Sequence, residues 1–209
     1  MGSEMFEVSV GAFVGALSAF GLEIYRKNRQ SISDNANKGN QVIFRLNQNW
    51  SSMVYIKSEL IDPVRANPGR SILMERMQKI ELHDKIEMSS LDFLVDCGYP
   101  QTVYEVLHED ERYRTNIRAV NERSEIYLEQ VQKPLGKAGV SDGRPLKETE
   151  LKAIIGERTL MEVSRLADSI ISNIDSSIES TMNVQKKLRE KLYLACPGRR
   201  FIIPDAERE

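Results

Sequence analysis

Fifteen consecutive residues without a charge, residues 8–22 (VSVGAFVGALSAFGL), constrain what this chain can fold into more than any other feature. Glu7 and Glu23 frame the run, and Arg26, Lys27 and Arg29 follow it. With its flanks, as residues 5–25, a helix rising about 1.5 Å per residue reaches roughly 31 Å, against ~30 Å for the hydrocarbon core of a bilayer. A buried core helix is the competing reading, since a span needs about 17 apolar residues. Gly11, Gly15 and Gly21 weigh against it, because each costs a water-soluble helix about 1 kcal/mol relative to alanine, whereas membrane helices use small residues for close packing. The expectation is a single transmembrane helix. Basic residues lie only on its C-terminal side, so the positive-inside rule puts the N-terminus outside and the following domain in the cytoplasm. The opening MGSEMFE lacks the basic start of a signal peptide, and Phe6 does not suit myristoylation.

The same run predicts two faces. Gly11 and Gly15 form a GxxxG, extended by Ala12, Ala16 and Ala19, which favours close helix–helix contact. Phe6, Val10, Phe13, Leu17, Phe20 and Ile24 make a bulky stripe suited to lipid. The expected pore and oligomer face holds Glu7, Gly11, Val14, Gly15 and Ser18, and a ring of such helices would enclose a narrow ion path with Glu7 at its mouth.

Beyond the run, 29% charged and 7% aromatic residues favour helices over sheets. Ile43, Leu46, Trp50 and Met53 keep a helical 3-4 step, which the prolines and glycine of 62–69 end. A short helix is expected over 71–78. Residues 79–96 are ambiguous between weak alternation and a helical turn capped by Ser89 or Ser90. Residues 101–132 read as a long amphipathic helix with Asp110 and Ser124 interrupting its apolar stripe, and 133–145 as a Pro/Gly loop. Residues 147–195 read as the longest element, either split at Gly156 or working as a coiled coil. The fold class is therefore all-α, an N-terminal transmembrane helix followed by an antiparallel bundle with coiled-coil-like helices. Its divisions are a tail (1–4), the span (5–25), a basic juxtamembrane linker (26–41, of which 30–41 reads as a linker or a frayed helix extension), the bundle (42–195, with Trp50, Ile117, Val120, Ile170 and Ile174 in its core) and a C-terminal tail (196–209) whose residues 201–204 suit packing back on the bundle.

Chemistry is sparse. No phosphate loop, dinucleotide fingerprint, nucleophile elbow, HExxH or paired CxxC occurs, and only His83 and His108 are present. His108-Glu109-Asp110-Glu111, with Glu105 one turn back, suits a metal or a solvated acidic face, and Cys97 has no evident His or Asn partner nearby. No catalytic residue, metal or cofactor is expected, and the chain reads as a non-enzyme, the alternative being a catalytic site assembled from distant positions. The net charge of −2 excludes a globally basic nucleic-acid binder. It leaves room for local patches: Arg114 and Arg118, one helical turn apart, with Lys186 and Lys187 across the bundle, are the expected phosphate-binding set for a nucleotide or short single-stranded nucleic acid. The serine-rich residues 169–181 suit either a tight helix interface, within the chain or between protomers, or an exposed polar face.

In layout, the VSVGAFVGALSAFGL run, the RKNR flank, the helical body and the lack of catalytic motifs resemble the small single-span membrane effectors of bacterial anti-phage systems, such as the Hailong type. The resemblance implies a homo-oligomeric channel in the bacterial inner membrane, contacting lipid and gated by a nucleotide-derived ligand. The expected function is thus to form or gate an ion pathway. The alternative is a membrane-anchored helical adaptor that recruits a cytoplasmic partner protein.

Overall fold

The structure, a computed structural model, describes residues 2–140 and 146–204, with side chains from Ser18 onward. Among these residues every regular element is helical. Helix α1 (Gly2–Ile56) continues into a π-helical stretch, Lys57–Ile61. After α2 (Arg70–Leu73) an irregular strap of residues 75–87 leads to a 3-10 turn, Met88–Ser90, and to α3 (Asp92–Asp96). Helix α4 (Pro100–Ile126) widens into a second π-helical stretch, Tyr127–Gln132, before α5 (Lys133–Lys137). Helices α6 (Glu148–Ile155) and α7 (Glu157–Ala195) complete the chain, divided at Gly156, whose φ of 85° a side chain would strain. Both π-helical stretches end two residues before a proline, Pro63 and Pro134. A proline ring clashes with the carbonyl four residues earlier, and a wider turn relieves that clash.

Contacts fix the topology. Along α1, Gly39 meets Leu192 and Lys57 pairs with Asp175, so α1 and α7 run antiparallel. Along α4, Glu105 pairs with Lys187 and Arg112 donates to Ser176, so α4 is antiparallel to α7 and parallel to α1. Two parallel helices need a return connection, and the strap supplies it. Helix α4 holds the strap by polar side chains. The Arg123 guanidinium donates to the carbonyls of Ser71, Met74 and Glu75, and Ser124 Oγ accepts from Met77 N–H. Asn121 exchanges two bonds with the Ile80 backbone (3.0 and 2.9 Å). Arg114 donates to the His83 carbonyl, and Asp110 accepts from Ile86 N–H. These bonds satisfy a backbone that has no ladder or helix of its own.

A polar layer divides the core between α1, α4 and α7. On one side lie Ile43, Leu46, Val106, Leu188 and Leu192; on the other Met53, Ile117, Val120, Ile170 and Ile174. Between them Asn49 donates to Asp110, Glu109 accepts from Arg112, Ser180 and Thr181, and Asn116 donates to Ser177. The expected core members Ile117, Val120, Ile170 and Ile174 are buried, while Trp50 is only half-buried.

Several expectations are corrected. Among the described residues no helix is long and apolar enough to cross a membrane, which overturns the single-pass placement in a bacterial inner membrane with the N-terminus outside. From Ser18 only five uncharged residues precede Glu23, and Arg26, Lys27 and Arg29 follow within one more turn or two. Of the two readings of 30–41, the helical extension holds: α1 passes through 26–41 unbroken. There, Ala36 and Gly39 are buried against the bundle. The helix expected over 71–78 stops at Leu73, because α4 offers the chain side-chain partners for an extended path. Residues 201–204, by contrast, pack back on the body as their apolar run suggests, with Phe201 buried. Phe201 meets Tyr193 edge-on at 5.0 Å, and Asn40 both donates to the Arg200 carbonyl and accepts from Ile202 N–H.

Candidate functional site

The residues expected to bind phosphate are not gathered into one site. Arg114 is largely buried and turned to the His83 carbonyl (2.8 Å), with its Nε 3.5 Å from Asp110. Arg118 is exposed and pairs with Glu111 at 3.4 Å, and Lys85 shares that carboxylate. Lys187 pairs with Glu105 at 3.1 Å, and Lys186 is exposed. Glu105 lies nine residues before Arg114, so Lys187 sits about 13 Å along α4 from the arginine. The Glu111 carboxyl is held below its ordinary value by Lys85 and Arg118 against some desolvation, as expected of a carboxylate between two cations. Arg114 serves the strap, and Arg118 and Lys187 serve surface ion pairs.

The expected pore face fares differently. The side chains of Glu7, Gly11, Val14 and Gly15 lie outside the described residues, and Ser18 is exposed. From Ser18 to Ser31 every residue of α1 is solvent-exposed, including Phe20 (64%), Leu22 (59%) and Tyr25 (63%). The first attachments are the Arg29 carbonyl, which accepts from Arg199, and Ile32 against the core. This part of α1 is an overhang carrying large apolar side chains beyond the end of the bundle.

The opposite end carries a groove of about 1400 Å³. It opens over the smallest of the apolar clusters, in which only Val131, Ile155 and Val163 are buried and Ile72, Tyr127, Leu135, Leu151 and Leu160 also line the groove. Its walls come from α2, the α4 extension, α5, α6 and α7, with Leu73, Leu135, Leu151, Leu160 and Met161 lining it. Leu73 is 48% and Met161 68% exposed. The local sequence builds this shape. Pro134 starts α5, and Glu150 accepts from the Lys147 N–H to start α6. Gly156 then turns α6 off the α7 axis so that the two do not close on each other. The rim is acidic: Glu148 and Glu157 share Lys152, whose ammonium their hydrogen bonds and charge hold above its ordinary value. Sequence reasoning missed this groove because 133–145 reads as a loop. Leu135 and Val140 within that stretch, and Met161 off the α7 stripe, are the signals that pointed to it.

The serine-rich stretch meets both readings: Ser176, Ser177, Ser180 and Thr181 bond to α4 inside the chain, while Ser169 and Ser172 lie on an exposed polar face. Among the described residues no three His, Cys, Asp or Glu side chains gather as a metal site would. Cys97 is exposed and Cys196 buried, and burial, then the neighbouring Cys97, pushes the Cys196 thiol up. No family model, curated protein or solved structure matches the chain, so its function is argued from these surfaces alone.

Proposed function

We propose that this protein is a helical docking module, a binding protein rather than an enzyme, that engages helices through two apolar surfaces at opposite ends of a rigid bundle. The groove carries the reading. Monomeric proteins rarely leave so large an apolar concavity with a polar rim unless something fills it, and a groove between helices is a usual receptor for an amphipathic helix. The overhang supports it from the other end, since exposed aromatic side chains on a helix are typical anchors for a partner. An ion pathway requires a span, and none is found among the described residues. A neutral apolar dye, Nile red, tests the groove directly. At dilution the wild-type chain is expected to bind it with a rise in fluorescence, and Leu73→Asp with Met161→Asp is expected to remove that rise. Both positions are solvent-exposed, so the double variant is expected to keep its helical circular dichroism. Equal dye binding by both proteins refutes the groove.

A further inference from the structure

We propose that the occupant of the groove is the α1 overhang of a second copy, so that the chain assembles head to tail. The inference rests on the docking reading above and names its partner. Three observations lead to it. First, among the described residues there is an unmatched apolar rod and an unmatched apolar groove, and they lie at opposite ends. Gly39, where α1 meets Leu192, is near the overhang, whereas Ser71, bonded to Ser164, is in the groove wall. The overhang therefore cannot reach its own groove but can reach another's. Second, the charges are complementary. Glu148 and Glu157 on the rim are 72% and 70% exposed around a single Lys152, whereas the overhang ends in Arg26, Lys27 and Arg29 with Glu23 alone opposing them. Third, the size is sufficient. A helix with side chains is about 10–12 Å across. Phe20 would remove roughly 150–250 Å² from water, and Ile24, one turn on and on the same face, adds to it; with the facing groove walls this makes a contact at the small, concentration-dependent end of specific interfaces. Pairing two overhangs with each other would leave both grooves open and bring six basic residues together.

A rod-into-groove contact is heterologous: each copy offers one of each, so growth continues until a ring closes or a filament forms. That geometry predicts a result that symmetric dimerisation cannot give. The wild-type chain is expected to increase in mass with concentration past the dimer in sedimentation velocity. The groove variant, Leu73→Asp with Met161→Asp, and a rod variant, Phe20→Asp with Ile24→Asp, are each expected to stay monomeric, the interface weakening about 30-fold or more. All four positions are exposed in the monomer, so folding is preserved. Mixed one to one, the two variants retain one intact rod and one intact groove, and are expected to form a dimer and nothing larger. At matched concentration the rod variant is also expected to take up more Nile red than the wild type, because its groove is vacant. A wild type that stays monomeric, a groove variant that assembles like wild type, or a mixture that forms no dimer overturns the proposal. Nile red binding that depends on Leu73 and Met161 would then still leave the docking reading standing with another partner; loss of both results removes both.

Discussion

Arg123 is fully buried without a carboxylate beside it. Its guanidinium instead caps the end of α2, donating to Ser71 O (2.9 Å), Met74 O and Glu75 O (3.1 Å), and lies 5.0 Å from the Tyr127 ring centroid. Burial pushes it down to about 10, which leaves it charged at neutral pH. Only a planar fork reaches several carbonyls at once. Arg123→Met strands those carbonyls and is expected to cost about 3 kcal/mol, roughly 6–12 °C in Tm for a chain of this length, with Arg123→Lys recovering only part. Thermal melts by circular dichroism measure it, and an unchanged Tm would show that the strap does not need the cap. Asp175 sets a milder case. It accepts from Arg65 at 2.7 and 3.0 Å, and those bonds hold its carboxyl below the ordinary carboxylate value despite some desolvation. An acid with a depressed folded pKa contributes stability above its unfolded value, near pH 4, and loses it as pH falls through the folded value. At 34% exposure the contribution is at most about 1 kcal/mol. Asp175→Asn is therefore expected to melt slightly lower than wild type at pH 7, with the gap closing in strong acid. A gap that persists there assigns the effect to packing.

At the level of elements, α1 and α7 approach closely at Gly39, where a Cβ would lie 2.6 Å from Leu192 Cδ2. Alanine there gains about 1 kcal/mol of helix propensity and loses about 1–3 kcal/mol to overpacking. Gly39→Ala is expected to lose between nothing and about 2 kcal/mol and the larger Gly39→Val more than alanine, read by urea denaturation; a neutral valine would mean the helices separate freely. Gly39 also shows what was legible in the sequence. Among Asn and Ser, it reads as a linker signal, because a glycine needed for close packing and one needed for a bend look the same from one chain. The long helices were legible where apolar residues keep the 3-4 step, as from Val103 to Val120 and from Val163 to Leu192. The strap was not, since it has no period of its own. Its partners were visible only as defects, Asp110 and Ser124 breaking the α4 stripe, and each proves to hold a strap amide.

For the whole molecule, α1 sets the dimensions. Its 55 residues extend about 82 Å, well beyond the bundle. A compact chain of this length has a radius of gyration near 17 Å, whereas the overhang raises it to about 25 Å. Small-angle scattering at high dilution is expected to give the larger value, and one near 17 Å would mean that the rod folds back on the body. The groove lay beyond sequence reading for a related reason: it exists only once residues 67–73, 127–140 and 146–164 stand together. Helix α1 also has a mechanical consequence. It is one unbroken shaft, free at one end and seated in the core at the other. Sliding it by a single residue means about 1.5 Å of travel and 100° of rotation, enough to carry Asn49 off Asp110. Whatever grips the free end thus holds a lever whose short arm is the hydrogen-bonded centre of the protein.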